Sequence, residues 1–314
     1  MQVEIKKLPK ATVQLDVTVP AEKVNEVREL VITKLAETTE IKGFRKGNAP
    51  RDLVEKSLDQ ATLNGEIVNS LLEKYYVEAL KQNKVAPISN PKVEVKAFSL
   101  EEDFVFTATV AIRPDVKMQD YKKALKQKAE EKSKEVAKQK EAALKEDKPL
   151  GQIHDHLHTN EIIEILTDSA EVEVPDMLID DEIDRYMARF VDQIQALNMD
   201  MKDYLKAQKK TAEQMREEFS KMAEKNLKAE FALAHVIKER GIEVTDAEIE
   251  ETAKAAGDEQ AIENLKDPTT KWYIKSILEK NKLLAGIMEE LGVSHEDHNA
   301  KENPKEESEK KEDK

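Results

Sequence analysis

Between residues 11 and 37 the apolar residues change period, and that change bounds what the chain can fold into. In "ATVQLDVTV" (11–19), Val13, Leu15, Val17 and Val19 alternate with polar residues, which places them on one face of a half-buried strand. Pro20 stops the run. "AEKVNEVRELVITKLAE" (21–37) then repeats Val24, Val27, Val31 and Leu35 at helical spacing. "PRDLVEKSLD" (50–59) restarts a helix, with Pro50 suited to its first turn and Asp52 complementing its positive end. A longer helix over about 62–83 carries Ile67, Leu71, Tyr75 and Ala79 or Leu80 on one side, and Pro87 and Pro91 break it. Alternation returns in "KVEVKAF" (92–98) and "DFVFTATVAI" (103–112), read as two antiparallel strands. Residues 1–114 are therefore expected to form an α+β domain, with strands at both ends and helices between.

From residue 115 the strand period is lost. Residues 115–148 are rich in Lys, Glu, Ala and Gln, hold no Gly or Pro, and have few large apolar residues. Such a stretch forms a helix readily but has little to bury, so it reads as a solvated connecting or arm helix, or else as a partly disordered linker. A short break follows at 149–160. Residues 161–293 read as an elongated all-α domain with arms. It begins with a short apolar helix capped by Thr159 or Asn160 and an extended piece ending at Pro175. A helix from Asp176 follows, with Ile179, Ile183, Met187, Phe190, Ile194 and Leu197 along one face. Thr211 with Gln214 three residues later forms a capping-box pattern for the next helix, which Gly241 ends. Two further helices span 245–257 and 268–292. The tail 294–314 has no apolar periodicity and is expected to be disordered.

The chain of 314 residues is 37% charged and 4% aromatic, with a mean hydropathy of −0.67. It has eight glycines, few for a fold built on nucleotide-binding turns, and no cysteine, which removes disulfides, zinc–thiolate sites and thiol catalysis. The 51 Lys/Arg against 65 Asp/Glu give −14. Residues 1–114 hold 17 of each, so the excess acidity belongs to the remainder. An acidic remainder repels nucleic acid, so any RNA contact is expected from a local patch in the neutral part. The N-terminus lacks the apolar core of a signal peptide and no later run approaches a membrane span, so a cytoplasmic protein with no membrane partner is expected.

No nucleophile elbow, phosphate loop or dinucleotide fingerprint is present, and no catalytic residue is assigned. "HDHLH" (154–158) could line one side of an extended strand as metal ligands. With no matching partner in the sequence it reads as a solvated loop, and no metal or other cofactor is expected. His235, inside a helix, reads as packed or surface-lying. Carboxylate runs such as Asp180, Asp181, Glu182 and Asp184 read as solvated helical faces. Seven of nine methionines lie in the helical half. Met187 and Met222 fall in apolar stripes and are expected in the core. Met199 and Met201, in "NMDMKDYL", are expected at the surface. As flexible apolar groups, Met177, Met199 and Met201, with Tyr204, are candidates for a surface that accepts many apolar shapes.

The remaining feature is "EIKGFRKGNAPRD" (40–52), between two helices. Gly43 and Gly47 allow tight or left-handed backbone, Phe44 has no apolar stripe to join, and Arg45, Lys46 and nearby Arg51 add positive charge. Such a tip can contact phosphate while its ring enters an apolar hole or stacks on a base, or the ring can tuck back into its own domain. Gly43, Phe44, Arg45, Gly47 and Pro50, with Lys46 completing the tip, resemble the ribosome-docking signature of the bacterial trigger factor family. "VEVPDMLIDDEIDRYMARF" (172–190) is similar to a segment of that family's C-terminal domain.

The resemblance implies a ribosome-associated, ATP-independent chaperone. Its partners would be nascent and unfolded polypeptides and the large ribosomal subunit, through a ribosomal protein and rRNA near the exit tunnel. A homodimer is implied as a state open to the free protein. In most of the family an FKBP-like prolyl isomerase domain follows the arm helix. Here only about ten residues occupy that place, so the chain is expected not to be an enzyme. An RNA-binding module acting off the ribosome and an extracytoplasmic holdase are the competing readings.

Overall fold

The computed structural model describes residues 1–38, 59–145, 156–197, 199–255 and 263–293. It divides into two units, one of residues 1–115 with 173–224, the other of 116–172 with 225–314. Helices of the 161–293 stretch occur in both.

The first unit is built on a four-stranded antiparallel sheet in the order β1-β2-β4-β3, comprising β1 (Gln2–Leu8), β2 (Thr12–Val19), β3 (Lys92–Ala97) and β4 (Phe104–Ala111). The register sets Leu15 opposite Ala108 and Val17 opposite Phe106. Because successive side chains point to opposite faces, one face of β2 and β4 is a closed apolar surface. Val13, Leu15, Val17, Val19, Phe104, Phe106, Ala108 and Val110 are all at most 3% exposed. Helices α1 (Ala21–Thr38) and α2 (Gln60–Gln82) join that cluster through Val24, Val27, Val31 and Ile32 and through Leu63, Ile67, Leu71, Tyr75 and Ala79. Both helical stripes expected from the sequence are thus present, Leu35 half-buried at the end of the first.

β1 lies outside the strands expected from the sequence. Its hairpin to β2 turns through Lys10 and Ala11 at φ 54° and 47°, positions where a sequence reader looks for Gly or Asn. The Thr211 cap is present as read, Thr211 N–H donating to Gln214 Oε1 (3.0 Å) and Gln214 N–H to Thr211 Oγ1 (3.2 Å). The 176–197 helix appears as α5 (Asp176–Ala196), lying against β4 within the first unit. Two exposed ion pairs join it to the sheet, Lys10–Asp176 at 2.6 Å and Lys92–Asp180 at 3.3 Å. Such pairs contribute only about 0–1 kcal/mol each, so the burial of Met177, Leu178 and Ile183 is the larger hold on this helix.

The second unit holds α3 (Tyr121–Lys145), α4 (Thr159–Asp168), α8 (Asp246–Ala255), α9 (Pro268–Glu290) and the end of α7 (Ala212–Glu239). A two-stranded pair, β5 (Lys117–Met118) with β6 (Ala170–Glu171), joins the start of α3 to the end of α4. The expectation that residues 115–148 bury little is corrected at the start of α3, where Tyr121 and Leu125 are each 3% exposed in a core with Leu157, Ile162, Leu166, Val236, Leu283 and Ile287. The two large side chains open the helix and the Lys/Glu-rich remainder hides them from composition. The guanidinium of Arg240 donates to both carboxylate oxygens of Glu290 (2.8 and 3.3 Å) and lies 5.7 Å from the centre of the Tyr121 ring. The N-cap of α4 is His158, one residue before the expected cap, with its N–H donating to Glu161 at 2.7 Å.

On the outer face of the sheet, Asp16 accepts from Lys6 Nζ (2.6 Å), Gln14 Nε2 (2.8 Å) and Thr107 Oγ1 (2.8 Å), joining three strands. The Lys6 ammonium, helped by the two neutral donors, holds the carboxyl down to about 2. A depressed carboxyl contributes stability above its unfolded value near 4, which is lost as pH falls toward 2. Asp16→Asn should therefore lower the urea midpoint at pH 7, and the gap from the parent should close between pH 4 and pH 2 in chemical denaturation.

Candidate functional site

Gly43, Phe44, Arg45, Lys46, Gly47, Pro50 and Arg51 lie outside the described residues. What is described is the platform on either side of them. The segment leaves from the end of α1 and the chain resumes at Asp59, whose carboxylate caps α2 by accepting from Thr62 N–H (3.1 Å) and Thr62 Oγ1 (3.2 Å). Both helices are seated on the sheet by residues at most 8% exposed, so a segment attached to them departs from a fixed base. From Lys42 to Arg51 that segment carries four cations and no carboxylate. The sequence therefore carries a local run of positive charge within the part of the chain whose overall charge is balanced.

The second group of predicted residues falls at the junction of α5 and α6 (Met201–Gln208). Asp200 caps α6 by accepting from Lys202 N–H at 3.1 Å. Tyr204 meets Phe190 edge-to-face (5.1 Å, 79°), and Phe190 meets Phe219 the same way (5.7 Å, 74°). Tyr186 joins Phe219 at 5.9 Å. This chain of rings holds α5, α6 and α7 together where the aliphatic core is thin. Edge-to-face pairs contribute about 0.5–1.5 kcal/mol each beyond area burial.

Beside the rings, Val191, Ile194, Met199, Asp200 and Met201 line a shallow pocket of about 330 Å³. Met199 is 39% exposed and Met201 and Tyr204 are half-buried. Met199 and Met201 share this pocket and Tyr204 stands on the same short helix as Met201, whereas Met177 is turned inward at 7% exposure. Met222 overturns its assignment to the core. It is 51% exposed, while Met215 and Ala223 on the same helix are buried. Helical spacing alone placed Met222 in an apolar stripe, but the covered stripe runs through its neighbours.

Leu197, which the spacing sets on the same face as Ile183 and Ile194, is 69% exposed at the end of α5. In the second unit Trp272 (68%), Tyr273 (61%) and Ile277 (38%) lie exposed on α9, unsignalled because their helix otherwise carries an ordinary buried stripe. His235 is half-buried. Among the described residues no three His, Asp or Glu side chains are grouped to hold a metal ion, and no helix is long and apolar enough to cross a membrane. Phe190→Ala should speed amide exchange across 199–208, measured by hydrogen–deuterium exchange, and leave β2 and β4 unchanged.

Residues 1–146 match the model of the bacterial trigger factor protein, and residues 117–289 match that of the trigger factor C-terminus. The two matches overlap, leaving no stretch between them for an inserted domain. A trigger factor of Clostridium kluyveri is 35% identical over 122 residues, covering 39% of this chain and 28% of the relative. Trigger factors of Staphylococcus epidermidis and Staphylococcus aureus are 39% and 38% identical over 108 residues, each match covering 34% of this chain and 25% of the relative. The chain thus aligns with about a quarter of the length of these curated relatives. A solved structure, from work on promiscuous substrate recognition in folding and assembly activities of the trigger factor chaperone, matches 92% of this chain and 100% of its own (TM-score 0.59, 15% identity).

Proposed function

The chain belongs to the bacterial trigger factor family, and from that premise we propose that it is a ribosome-associated, ATP-independent chaperone that receives unfolded segments of nascent polypeptide in the cytoplasm. The observation that carries this reading is the Gly43-Phe44-Arg45-Lys46-Gly47 tip, joined to helices whose other ends are packed on a sheet. Arg45, Lys46 and Arg51 supply charge for phosphate and for acidic protein surface, and Phe44 supplies an apolar plug. The attraction is local, since the chain as a whole is acidic. That balance favours docking on one ribonucleoprotein site over adhesion to free RNA, and it counts against an RNA-binding module acting off the ribosome.

Client holding falls to exposed apolar side chains. Leu197, Met199 and Met222, with half-buried Met201 and Tyr204, are such side chains in the first unit, and Trp272, Tyr273 and Ile277 in the second. Exposed apolar groups lower the free energy of an unfolded segment by covering its own apolar surface. Release follows when burial inside the client competes better, so the cycle needs no nucleotide. Methionine suits the task because its unbranched, polarizable side chain adapts to many shapes. The overlap of the two family matches supports a chaperone without the isomerase domain, acting by binding alone.

Replacing Phe44, Arg45 and Lys46 together with alanine should abolish co-sedimentation with ribosomes while the far-UV spectrum stays unchanged. Retained pelleting would remove the docking assignment. Leu197→Ser, Met199→Ser and Met222→Ser combined should weaken suppression of aggregation of a chemically denatured client severalfold at equal chaperone concentration. Ribosome pelleting by that variant should match the parent.

A further inference from the structure

The chain has nine methionines and no cysteine. Where thiolates are present they take up oxidant first, and methionine thioethers are the other soft sulfur that peroxides attack. In a chain without thiols the target is a methionine, and exposure decides which one. All nine lie among the described residues, and the fold sorts them. Met177, Met215 and Met288 are buried, and Met1, Met118, Met187 and Met201 are half-buried. Only Met199 and Met222 are exposed, and both belong to the first unit.

Neither of these two thioethers fastens the elements around it. Met199 stands between α5 and α6, where its own N–H donates to the Ile194 carbonyl (3.1 Å) and the Asp200 carboxylate caps α6. Backbone and carboxylate bonds fix that turn, and the Met199 side chain lines the shallow pocket beside Ile194 and Met201. Met222 stands on α7 next to Ala223, which is 0% exposed and carries the packing at that point. On its other side the Lys221 ammonium bonds Glu217 within the helix (2.8 Å). An oxygen atom added to either exposed sulfur alters the surface and leaves the core as it is. At Met177 or Met215 the same oxygen would be a buried polar group without a partner, which is destabilising.

The chemistry is a two-electron transfer. A sulfur lone pair attacks one oxygen of a hydroperoxide, the S–O bond forms as the O–O bond breaks, and the departing oxyanion takes a proton and leaves as water or alcohol. Sulfur is oxidised and the peroxide reduced. The product is a polar, chiral sulfoxide in place of a flexible apolar group. Apolar client surface laid over it strands a hydrogen-bond acceptor. Reductases reverse the step, two thiols becoming a disulfide as the oxygen leaves as water.

We propose that Met199 and Met222 are sites of reversible oxidation by hydroperoxides, and that their sulfoxides switch off the holding of unfolded chain while the fold persists. This rests on the client-holding reading given above. The switch resets without unfolding, because both sulfurs stay accessible to a reductase.

The test treats full-length protein with dilute hydrogen peroxide. Peptide mapping by mass spectrometry should show Met199 and Met222 gaining oxygen roughly tenfold faster than Met177, Met215 and Met288. At that stage the far-UV spectrum should be unchanged, and suppression of aggregation of a chemically denatured client should fall severalfold. Methionine sulfoxide reductases acting on both epimers, with a thiol reductant, should restore it. Met199→Leu/Met222→Leu, which keeps the apolar volume, should hold client as the untreated parent does and should lose little after peroxide. Oxidation of the buried methionines at the same rate as the exposed pair overturns the proposal. So does undiminished holding by parent oxidised at both sites, or an equal loss by the leucine variant. If untreated parent holds no client, the client-holding reading falls and the switch with it, whereas selective oxidation without loss of holding overturns the switch alone.

Discussion

The interaction on which the first unit depends is the seating of α1 and α2 on the inner face of β2 and β4. Eight alternating side chains of the two strands are at most 3% exposed there, and burial of each large one contributes about 1.5–3 kcal/mol. The helices contribute the complementary stripes. Everything proposed for the docking segment follows from this contact, because 39–58 is attached at both ends to helices that the sheet immobilises. Presentation of a recognition loop from a rigid base is how a short stretch gains specificity without a cavity of its own.

The helical regions follow a different compromise. A chain that is 37% charged and 4% aromatic cannot cover every apolar residue it carries, and the structure concentrates burial in two clusters. Where the aliphatic core is thin, as at α5–α7, rings meeting edge-to-face bind the helices, and Leu197, Met199 and Met222 are left outside. A compact enzyme would treat such residues as liabilities. In the chaperone proposed above they would be the surface offered to an unfolded chain, and the net charge of −14 opposes self-association through them.

Capping chemistry was the most legible local detail. The Thr211–Gln214 box formed as its spacing implied, because the reciprocal bonds run between residues three apart and need nothing from elsewhere. A second box, with Thr245 N–H donating to Glu248 at 2.8 Å, obeys the same rule, and contact with the Lys282 ammonium as well as Thr245 holds the Glu248 carboxyl down to about 2. The turn at Lys10–Ala11 was illegible because its residues have no intrinsic preference for positive φ. The pairing of β1 with β2 imposes that conformation.

Period, caps and charge were properties of the sequence by itself. They determined the strand at 12–19, the stripes of α1 and α2, the helical second half, and the glycine-flanked cationic tip. Each arises from side-chain direction within one element or from residues a few positions apart. Only the tertiary structure decided which of several apolar stripes was covered: Met177 and Met215 in, Met222 and Leu197 out, Tyr121 and Leu125 drawn into a core their helix's composition conceals. Periodicity sets the face on which a residue stands, but burial requires a partner surface to arrive against that face, and the partner comes from a distant part of the chain.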